Sequence, residues 1–412
     1  MEGGGLDLRS LLAAVEEASP IDAVDVLGAE LAREVDAGHV ALLIANFSGN
    51  ALVRLSHITR TGHQHAGRNE RTETVLLEEG TIHERALFSQ SVEAIVDGDG
   101  WLALVPITER GDAIGLLEVS MTQEPDRAVL DYLVAAAHAL AYVLIASRRH
   151  TDLFEWAQRD IPFSVSAEIQ RRLLPSAYTA ETGPLTLAGW LEPSHAAGGD
   201  SFDYSLDRDY LYASLTDAMG HSTTAALLAT FTVGTLRNQR RALASPAEQA
   251  DAANAGLADH ARPDQFVTGL LLRVRLADGT TEVVNAGHPP PYLIRDGHAV
   301  QLELTTHPPL GVTTHAYRAD IIALEPGDRL LLVTDGYLER RAELVDIEDI
   351  LRRTLERHPR QIVQELARNV LAATGGNLRD DATALCIDWY GPRGHRDATG
   401  GASQSRATQP LP

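Results

Sequence analysis

Short apolar segments in the second half of the chain repeatedly begin or end at an aspartate. Asp217 closes the segment in YLYASLTDAMG, Asp335 closes that in LLLVTDGYLE, Asp200 follows the glycines of AAGGDSFDYS, and Asp380 and Asp381 precede the segment in DDATALCIDW. Runs of this composition, bounded by glycine or acid, predict β-strands. One Asp-Gly after a strand is usually only a turn, but acids at the ends of several strands can meet when those strands pack together. We therefore expect a β-rich core with carboxylates gathered at its edge.

Gathered carboxylates favour a metal site. They repel one another and take up protons unless a cation neutralises them. All-oxygen ligand sets suit Mg²⁺ or Mn²⁺. Two such ions, roughly 3.5 to 4 Å apart and bridged by a carboxylate, can generate hydroxide and hold a phosphoryl oxygen. The pattern thus predicts that Asp335 is a metal ligand.

Composition excludes several other classes of protein. The 412 residues suggest two or three globular domains, and the formal charge of −22 disfavours a nucleic-acid partner, because polyanion binding needs clustered cations. The chain contains no lysine, which excludes both a Walker A loop and a protein kinase. The single cysteine, Cys386, lies in the apolar run ATALCIDW. It cannot form an internal disulfide, and a buried small hydrophobe is a better interpretation than a catalytic thiol.

Neither end of the chain nor its apolar runs suggest a membrane protein. The N-terminus MEGGGLDLRS lacks the basic and apolar regions of a secretory signal. No stretch approaches the roughly 18 to 20 uninterrupted apolar residues that span a bilayer. We expect a cytoplasmic protein without a membrane partner.

Residues 19–147, after an N-terminal segment 1–18, read as one α/β domain. The segment IDAVDVLGAELAREV has helical spacing, WLALVPITERGDAIGLLEVS reads as a hairpin, and DRAVLDYLVAAAHALAYVLIAS reads as a closing helix. This order of elements resembles the GAF sensor domain, which implies an unidentified small ligand. Three nearby histidines could ligate a metal or haem, but their polar, glycine-containing surroundings favour a solvated loop; they are His57, His63 and His65.

Residues 148–183, called the connector below, predict a broken helix. Pro162 interrupts the helical pattern, and SAEIQRRLLP resumes it. An apolar stripe of Leu153, Trp156 and Ala157 precedes the break. The stripe predicts a homodimer formed by paired helices; a passive spacer is the alternative. Residues 392–412 are polar, rich in Gly and Ser and aperiodic, which predicts a disordered tail.

Residues 184–391 resemble a known family. GGDSFDY, TDAMGHSTTAA, NAGHPPPYL, HPPLGV, TDGYLE and DDATAL occur in the order found in the metal-dependent Ser/Thr protein phosphatases of the PPM type, specifically their bacterial SpoIIE-like branch, which includes regulators of sigma factors. The connector's AEIQRRLLP is also typical of this branch. The resemblance implies an αββα sandwich of two antiparallel sheets flanked by helices. The fold class of the whole chain is then α+β.

The resemblance also implies roles for individual residues. Asp200 would bind one of two divalent ions, Mn²⁺ or Mg²⁺, Asp217 would bridge them, and Ala218 would contribute its carbonyl oxygen. Asp335 and Asp380 would complete the ligand set. Asp381 would support the ligands, and Asp203 would hold a metal-bound water. His221 is either the general acid for the leaving oxygen or a capping residue. Ser222 replaces a glycine usual in the branch, which makes a positive φ costly in the turn beside Asp217.

The implied activity is hydrolysis of a phosphoserine or phosphothreonine protein without a covalent enzyme intermediate. The usual substrate in this branch is a phosphorylated anti-anti-sigma factor, a small STAS-domain protein whose dephosphorylation frees a sigma factor. One alternative is a scaffold that has lost turnover, against which the intact acids argue. Another is a small-molecule phosphohydrolase, which the acids do not exclude.

Overall fold

The computed structural model describes residues 8–59, 62–65, 73–78, 80–159, 164–194, 198–220, 222–262, 264–338, 345–376 and 378–408. The chain forms two compact units. The first unit comprises residues 1–162 with 397–412, and the second unit comprises residues 163–396.

The first unit packs helices on an antiparallel sheet. The helices are α1 (Leu8–Glu17), α2 (Ala23–Glu34), α3 (Ile82–Ser89), α4 (Arg127–Ser147) and α5 (Leu153–Ala157). The strands are β1 (His39–Ala45), β2 (Ala51–Thr59), β3 (Gly62–His65), β4 (Thr74–Leu76), β5 (Glu93–Asp97), β6 (Gly100–Glu109) and β7 (Asp112–Met121). The sheet order is β3-β2-β1-β7-β6-β5, with β4 also paired to β2. The predicted first helix, hairpin and closing helix correspond to α2, β6–β7 and α4; the GAF-like identity of this unit stays a prediction.

The boundaries predicted for this unit need correction at its start and end. Leu11 of α1 is fully buried in the same core as Leu27 and Leu140, so the segment predicted as separate belongs to the unit. Within α5, Phe154 and Ala157 are 1% and 5% exposed in this core, and Trp156 packs against it. The connector's apolar stripe therefore packs largely within the first unit. It does not provide the exposed apolar face that the predicted dimer required. Pro162 lies outside the described residues.

The tail predicted to be disordered is ordered over residues 397–408. Ala398–Thr399 pair with Ala402–Ser403, and both Ala402 and Ser403 are fully buried. The backbone N–H of Gly111, in the β6–β7 turn, donates to the carbonyl of Gly401 at 2.9 Å. Because the segment docks through backbone groups of glycines, it leaves no apolar periodicity in the sequence.

One helix, α4, is long and apolar enough to cross a membrane by length and composition alone. Asp131 and His138 interrupt its apolar run, and Leu133, Leu140 and Leu144 are buried in the core of the first unit. These contacts are those of a core helix.

Among its described residues, the second unit contains five helices and two sheets whose strands do not follow the order of the chain. The helices are α6 (Val165–Leu173), α7 (Ser222–Arg241), α8 (Pro246–His260), α9 (Ile347–Arg353) and α10 (Pro359–Thr374). The strands are β8 (Thr179–Glu181), β9 (Leu185–Glu192), β10 (Ser201–Leu206), β11 (Tyr210–Ala218), β12 (Val267–Arg275), β13 (Thr280–Ala286), β14 (Tyr292–Arg295), β15 (His298–Gln301), β16 (Thr306–His307), β17 (Asp320–Ala323), β18 (Arg329–Val333) and β19 (Ala382–Trp389). One sheet has the order β10-β11-β12-β13-β16, with β17 on β13, and the other has the order β15-β14-β18-β19-β9-β8.

Side-chain alternation along β18 shows how the layers are built. Leu330 and Leu332 lie in the core between the two sheets. Leu331 and Val333 point the other way, into the core shared with α9 and α10. Successive side chains of a strand face opposite sides, so a strand buried on both faces must be apolar throughout. On the far side, α7 and α8 cover the sheet that contains β11 and β12, and the predicted αββα sandwich is confirmed.

Candidate metal centre

Strand ends from both sheets carry the predicted acids. Asp200 immediately precedes β10 and Asp217 lies at the end of β11, which pairs with β10 in one sheet. Asp335 begins a short 3₁₀ turn, Asp335–Tyr337, directly after β18, and Asp380 and Asp381 immediately precede β19. Strands β18 and β19 are neighbours in the other sheet. We call these five residues the acid cluster.

Electrostatics show that the acid cluster is one group. Burial raises the pKa of Asp217 to about 7, and the negative charges of Asp335, Asp380 and Asp381 contribute to the rise. The interaction with Asp200 acts in the opposite sense and lowers the pKa of Asp217. Asp200 is fully buried, and burial together with the charges of Asp217 and Asp381 raises its pKa well above the ordinary value. A cation is the partner that such a set of carboxylates favours.

Two threonines join the sheets at Asp200. The hydroxyls of Thr334 and Thr383 donate to Oδ2 of Asp200 at 2.8 and 2.6 Å. Thr334 and Thr383 are themselves linked, because the N–H of Thr383 donates to the Thr334 hydroxyl at 3.0 Å. Asp200 is in one sheet and both threonines are in the other, so these bonds fix the strand end of β10 against those of β18 and β19.

A glycine permits the close approach of the main chains at Ala218. The N–H of Ala218 donates to the carbonyl of Gly199 at 3.2 Å. A Cβ atom at residue 199 would overlap both the carbonyl oxygen and the side chain of Ala218. The carbonyl that the family resemblance assigns to a metal therefore lies beside Gly199, the residue before Asp200, where any side chain would intrude.

The donors present fit a divalent cation by their chemistry. They are carboxylate and backbone oxygens, which hard cations prefer, and Asp217 faces other acids from inside a buried site. Across the described ranges, no three His, Cys, Asp or Glu side chains form a ready-made cage for a metal ion. The fit rests on the buried negative charge, which a divalent cation would neutralise.

Asp381 differs from the other acids in how its oxygens are used. Its Oδ1 accepts the N–H of Ser194 at 2.7 Å, and its Oδ2 accepts the N–H of Gly198 at 2.9 Å. The side-chain amide of Gln170 also donates to Oδ2. Asp381 therefore holds the segment that leads to Asp200.

Asp203 is not where the resemblance suggested. The side chain of Asp203 is buried and accepts from Arg237 at 2.9 and 3.0 Å and from Arg240 at 2.6 Å. Both arginines are in α7, so Asp203 joins β10 to that helix. We correct its predicted role, because two guanidinium groups already occupy its oxygens.

The single cysteine and the predicted histidines lie outside the acid cluster as described. Burial raises the pKa of Cys386, which is fully buried, so the thiol is not a nucleophile. His221 lies outside the described residues, and Ser222 is described only as the first residue of α7. The predicted solvated loop is wrong for the three histidines, because His57 lies in β2 and His63 and His65 lie in β3. Their side chains, and with them the question of metal or haem ligation, lie outside the described residues.

Sequence reasoning missed the neutral residues around the acid cluster. Thr334 lies in the quoted motif TDGYLE and Thr383 lies in DDATAL, but threonine at a strand end carries no chemical signal of its own. Gln170 lies within AEIQRRLLP, and only its burial in the structure distinguishes it from the other polar residues of that segment. His288, in NAGHPPPYL, is buried with its pKa lowered to about 4 by burial, and its Nδ1 lies 2.9 Å from the hydroxyl of Thr268. Thr268 pairs with Asp217 across β11 and β12.

Comparisons with known proteins match the second unit. The family model described as stage II sporulation protein E (SpoIIE) matches residues 207–390. The phosphoserine phosphatase RsbP of Bacillus subtilis is 23% identical over 216 residues, which cover 50% of this chain and 52% of the relative. The chain thus spans about half the length of this curated relative.

Two solved structures are also similar. The RsbU and RsbW domains of Rv1364c from Mycobacterium tuberculosis show 25% identity and a TM-score of 0.47, over 52% of this chain and 63% of that one. The phosphatase domain of SpoIIE from Bacillus subtilis, with a fragment of its regulatory domain, shows 18% identity and a TM-score of 0.44, over 51% and 65%. The family match over residues 207–390 and the ordered motifs it contains decide the assignment. Over residues 207–390, the second unit of this chain is therefore similar to the SpoIIE family of PPM-type protein phosphatases.

Proposed function

We propose that the chain is a metal-dependent phosphoserine/phosphothreonine protein phosphatase whose substrate is a phosphorylated STAS-domain protein. The observation that carries the proposal is the acid cluster, in which buried and partly buried carboxylates from the strand ends of two sheets raise one another's pKa. Asp203, by contrast, is paired with Arg237 and Arg240.

Each residue of the cluster has a specific part in the proposal. Asp200, Asp217, Asp335 and Asp380, with the carbonyl of Ala218, would hold divalent ions, Mn²⁺ or Mg²⁺. Such ions activate water at neutral pH and neutralise charge on a phosphoryl group. The hydroxyls of Thr334 and Thr383 hold Oδ2 of Asp200, so Oδ1 would be the oxygen that binds an ion.

Hydrolysis would proceed without a covalent enzyme intermediate. Cys386, the single cysteine of the chain, is fully buried and cannot reach a substrate. The acids are better placed to bind cations than to attack phosphorus, because they repel an anionic phosphoryl group until neutralised. In this proposal, His221 would protonate the leaving oxygen.

The substrate class and setting come from the relatives. The curated relative is named a phosphoserine phosphatase, and one similar structure combines an RsbU with an RsbW domain. We therefore propose a role in partner switching in the cytoplasm, where dephosphorylation frees a sigma factor. The first unit would be a GAF-like sensor with a small ligand, and the protein would be a homodimer.

Phosphate release from a panel of phosphorylated STAS proteins tests the proposal. We expect turnover with Mn²⁺, loss of turnover with a chelator, and far slower release from free phosphoserine. Equal rates on phosphoprotein and free phosphoserine would favour the small-molecule phosphohydrolase. Binding of the phosphoproteins without phosphate release, with Mn²⁺ bound, would favour the scaffold.

A further inference from the structure

A buried amide from the connector reaches the acid cluster. Gln170, in α6, is 2% exposed. Its Nε2 donates to the backbone carbonyl of Asp200 at 2.9 Å and also to Oδ2 of Asp381. One side chain therefore contacts the strand end of β10 in one sheet and the residue that precedes β19 in the other.

The same helix is tied to the same strand a second time. Nη2 of Arg237, in α7, donates to the carbonyl of Leu173 at the end of α6 at 2.6 Å. The guanidinium of Arg237 also binds Asp203, three residues after Asp200 in β10. Because α6 is held at both Gln170 and Leu173, its position is coupled to that of β10.

Asp381 extends the reach of Gln170 to two more acids. Asp381 holds the N–H groups of Ser194 and Gly198, which lead to Asp200. Its own N–H donates to Oδ1 of Asp380 at 2.9 Å. A shift of the Gln170 amide therefore moves the supports of Asp200 and Asp380 together.

We propose that Gln170 is a positioning residue of the metal centre and that the seating of α6 sets the affinity of that centre for divalent ions. The inference rests on the proposed function, because it assumes that the acid cluster binds such ions. Gln170 touches neither substrate nor ion; it acts through Asp381 and the main chain of Asp200. Partners that orient metal ligands typically change metal affinity about 10- to 100-fold when they are replaced.

Calorimetric titration of Mn²⁺ into the metal-free full chain tests the proposal without any substrate. Gln170→Met keeps the length of the side chain and removes its donor, while Oδ2 of Asp381 retains the N–H of Gly198. We expect the Kd for Mn²⁺ to rise at least about tenfold. The matched control is Arg172→Met on the same helix, whose side chain is 59% exposed; its Kd should stay within about twofold, as surface changes usually do.

Gln170→Glu gives an independent variant of nearly the same shape. Its carboxylate would face Asp381, and like charges at short range repel, so its Kd should rise more than that of Gln170→Met. Both variants lose buried hydrogen bonds and should unfold more easily, so Mn²⁺ is titrated below the unfolding midpoint that each variant shows in chelator. Unchanged Mn²⁺ affinity in either folded variant would overturn the proposal. A parent chain that binds Mn²⁺ but hydrolyses no phosphoprotein would reject the proposed function and leave this test intact.

Discussion

Asp335 stands where the chain leaves a fully buried strand. The 3₁₀ turn that it begins is anchored by Tyr337, which is completely buried, whereas Asp335 itself is only partly buried. The core therefore depends on the neighbours of Asp335 more than on its carboxylate. This separation makes it the best residue for testing chemistry apart from folding.

Replacing Asp335 with Asn should leave the fold intact and remove most turnover. Loss of a charged ligand weakens metal binding and raises the pKa of metal-activated water, and a loss of about 100-fold in kcat corresponds to roughly 3 kcal/mol. The measurement is phosphate release from a phosphoprotein at saturating Mn²⁺, with circular dichroism as the check on folding. Asp209→Asn, in the exposed turn between β10 and β11, is the control. Wild-type turnover in Asp335→Asn would contradict the ligand assignment.

For Asp203 we predict a loss of stability and not a loss of metal binding, because its oxygens bind arginines. Asp203→Asn leaves Arg237 and Arg240 without their buried partner, and breaking such a pair typically reduces the free energy of unfolding by about 3 to 5 kcal/mol. We expect a clear loss of stability in denaturant and a smaller change in Mn²⁺ affinity than Asp335→Asn produces. A stable variant with greatly weakened Mn²⁺ binding would restore the water-holding role.

Among elements, the strands were the most predictable and the helices of the connector the least. Strand β18 has the sequence RLLLV because both of its faces are buried. Such a continuous apolar run can be recognised from sequence alone. The connector has ordinary helical spacing, which does not reveal which surface it will cover. Its first half, α5, joins the core of the first unit, while α6 carries Gln170 into the second unit. Spacing identifies a helix, but only tertiary contacts decide its partner.

An ion-pair cluster joins three strands of the first unit to α3. Glu118 in β7 accepts from Arg54 at 2.7 Å, and Nε2 of His39 and of His83 lie 3.3 and 3.5 Å from its oxygens. Burial alone would raise the pKa of Glu118, but the hydrogen bonds from His39 and Arg54, together with the nearby ring of His83, hold it well below the ordinary range. The native carboxylate thus binds protons less readily than the unfolded one.

The lowered pKa of Glu118 fixes the sign of a pH effect on the first unit. Its contribution to stability is present above the ordinary glutamate pKa of 4.5 and declines as the pH falls below it, because the unfolded state then binds more protons. Glu118→Gln should lower the free energy of unfolding at pH 7 and flatten its decline below about pH 4.5. Denaturant unfolding at several pH values measures both. An acid limb as steep as that of the parent chain would contradict the assignment.

At the scale of the whole molecule, the chain leaves the first unit, forms the second and returns to the first. The return was not predictable, because residues 397–408 dock through glycine backbone and small side chains. The boundary near residue 162 was also displaced from the predicted one at 148, because Phe154 completes the core of the first unit. Motif order was enough to place the second unit, whose acids and strands carry strong signals.

A fragment of residues 163–396 should fold alone. Its sheets and helices enclose their own cores, and a domain with its own core can fold independently. A fragment that begins at His150 would retain α5 without the core in which Phe154 is buried, so it should be less soluble. We expect the shorter fragment to hydrolyse phosphoprotein at a rate different from that of the full chain, since it lacks the first unit, which we propose to be a sensor. Aggregation of residues 163–396 where the full chain is soluble would contradict independence.

Removing the returning segment should weaken the first unit. A chain that ends at Arg396 loses the bond from Gly111 to Gly401, the bond from the Gln404 amide to the Gln90 carbonyl at 3.0 Å and the buried Ala402 and Ser403. Two or three such bonds contribute about 2 kcal/mol together, which lowers the unfolding midpoint of a unit this size by about 4 to 8 °C. Differential scanning calorimetry measures the shift, and a chain ending at Thr408 is the control.

Gly401→Ala should act like the truncation without shortening the chain. Gly401 has φ +90°, and a Cβ there would overlap the carbonyl oxygen of Thr108 and the ring of His138. An L-residue is strained at this φ, so the segment would detach while its sequence stays otherwise unchanged. Matching losses of stability in Gly401→Ala and in the chain ending at Arg396 would show that docking, and not the mere presence of the tail, stabilises the first unit. If Gly401→Ala matched the parent chain in calorimetry, the docked segment would have no part in that stability.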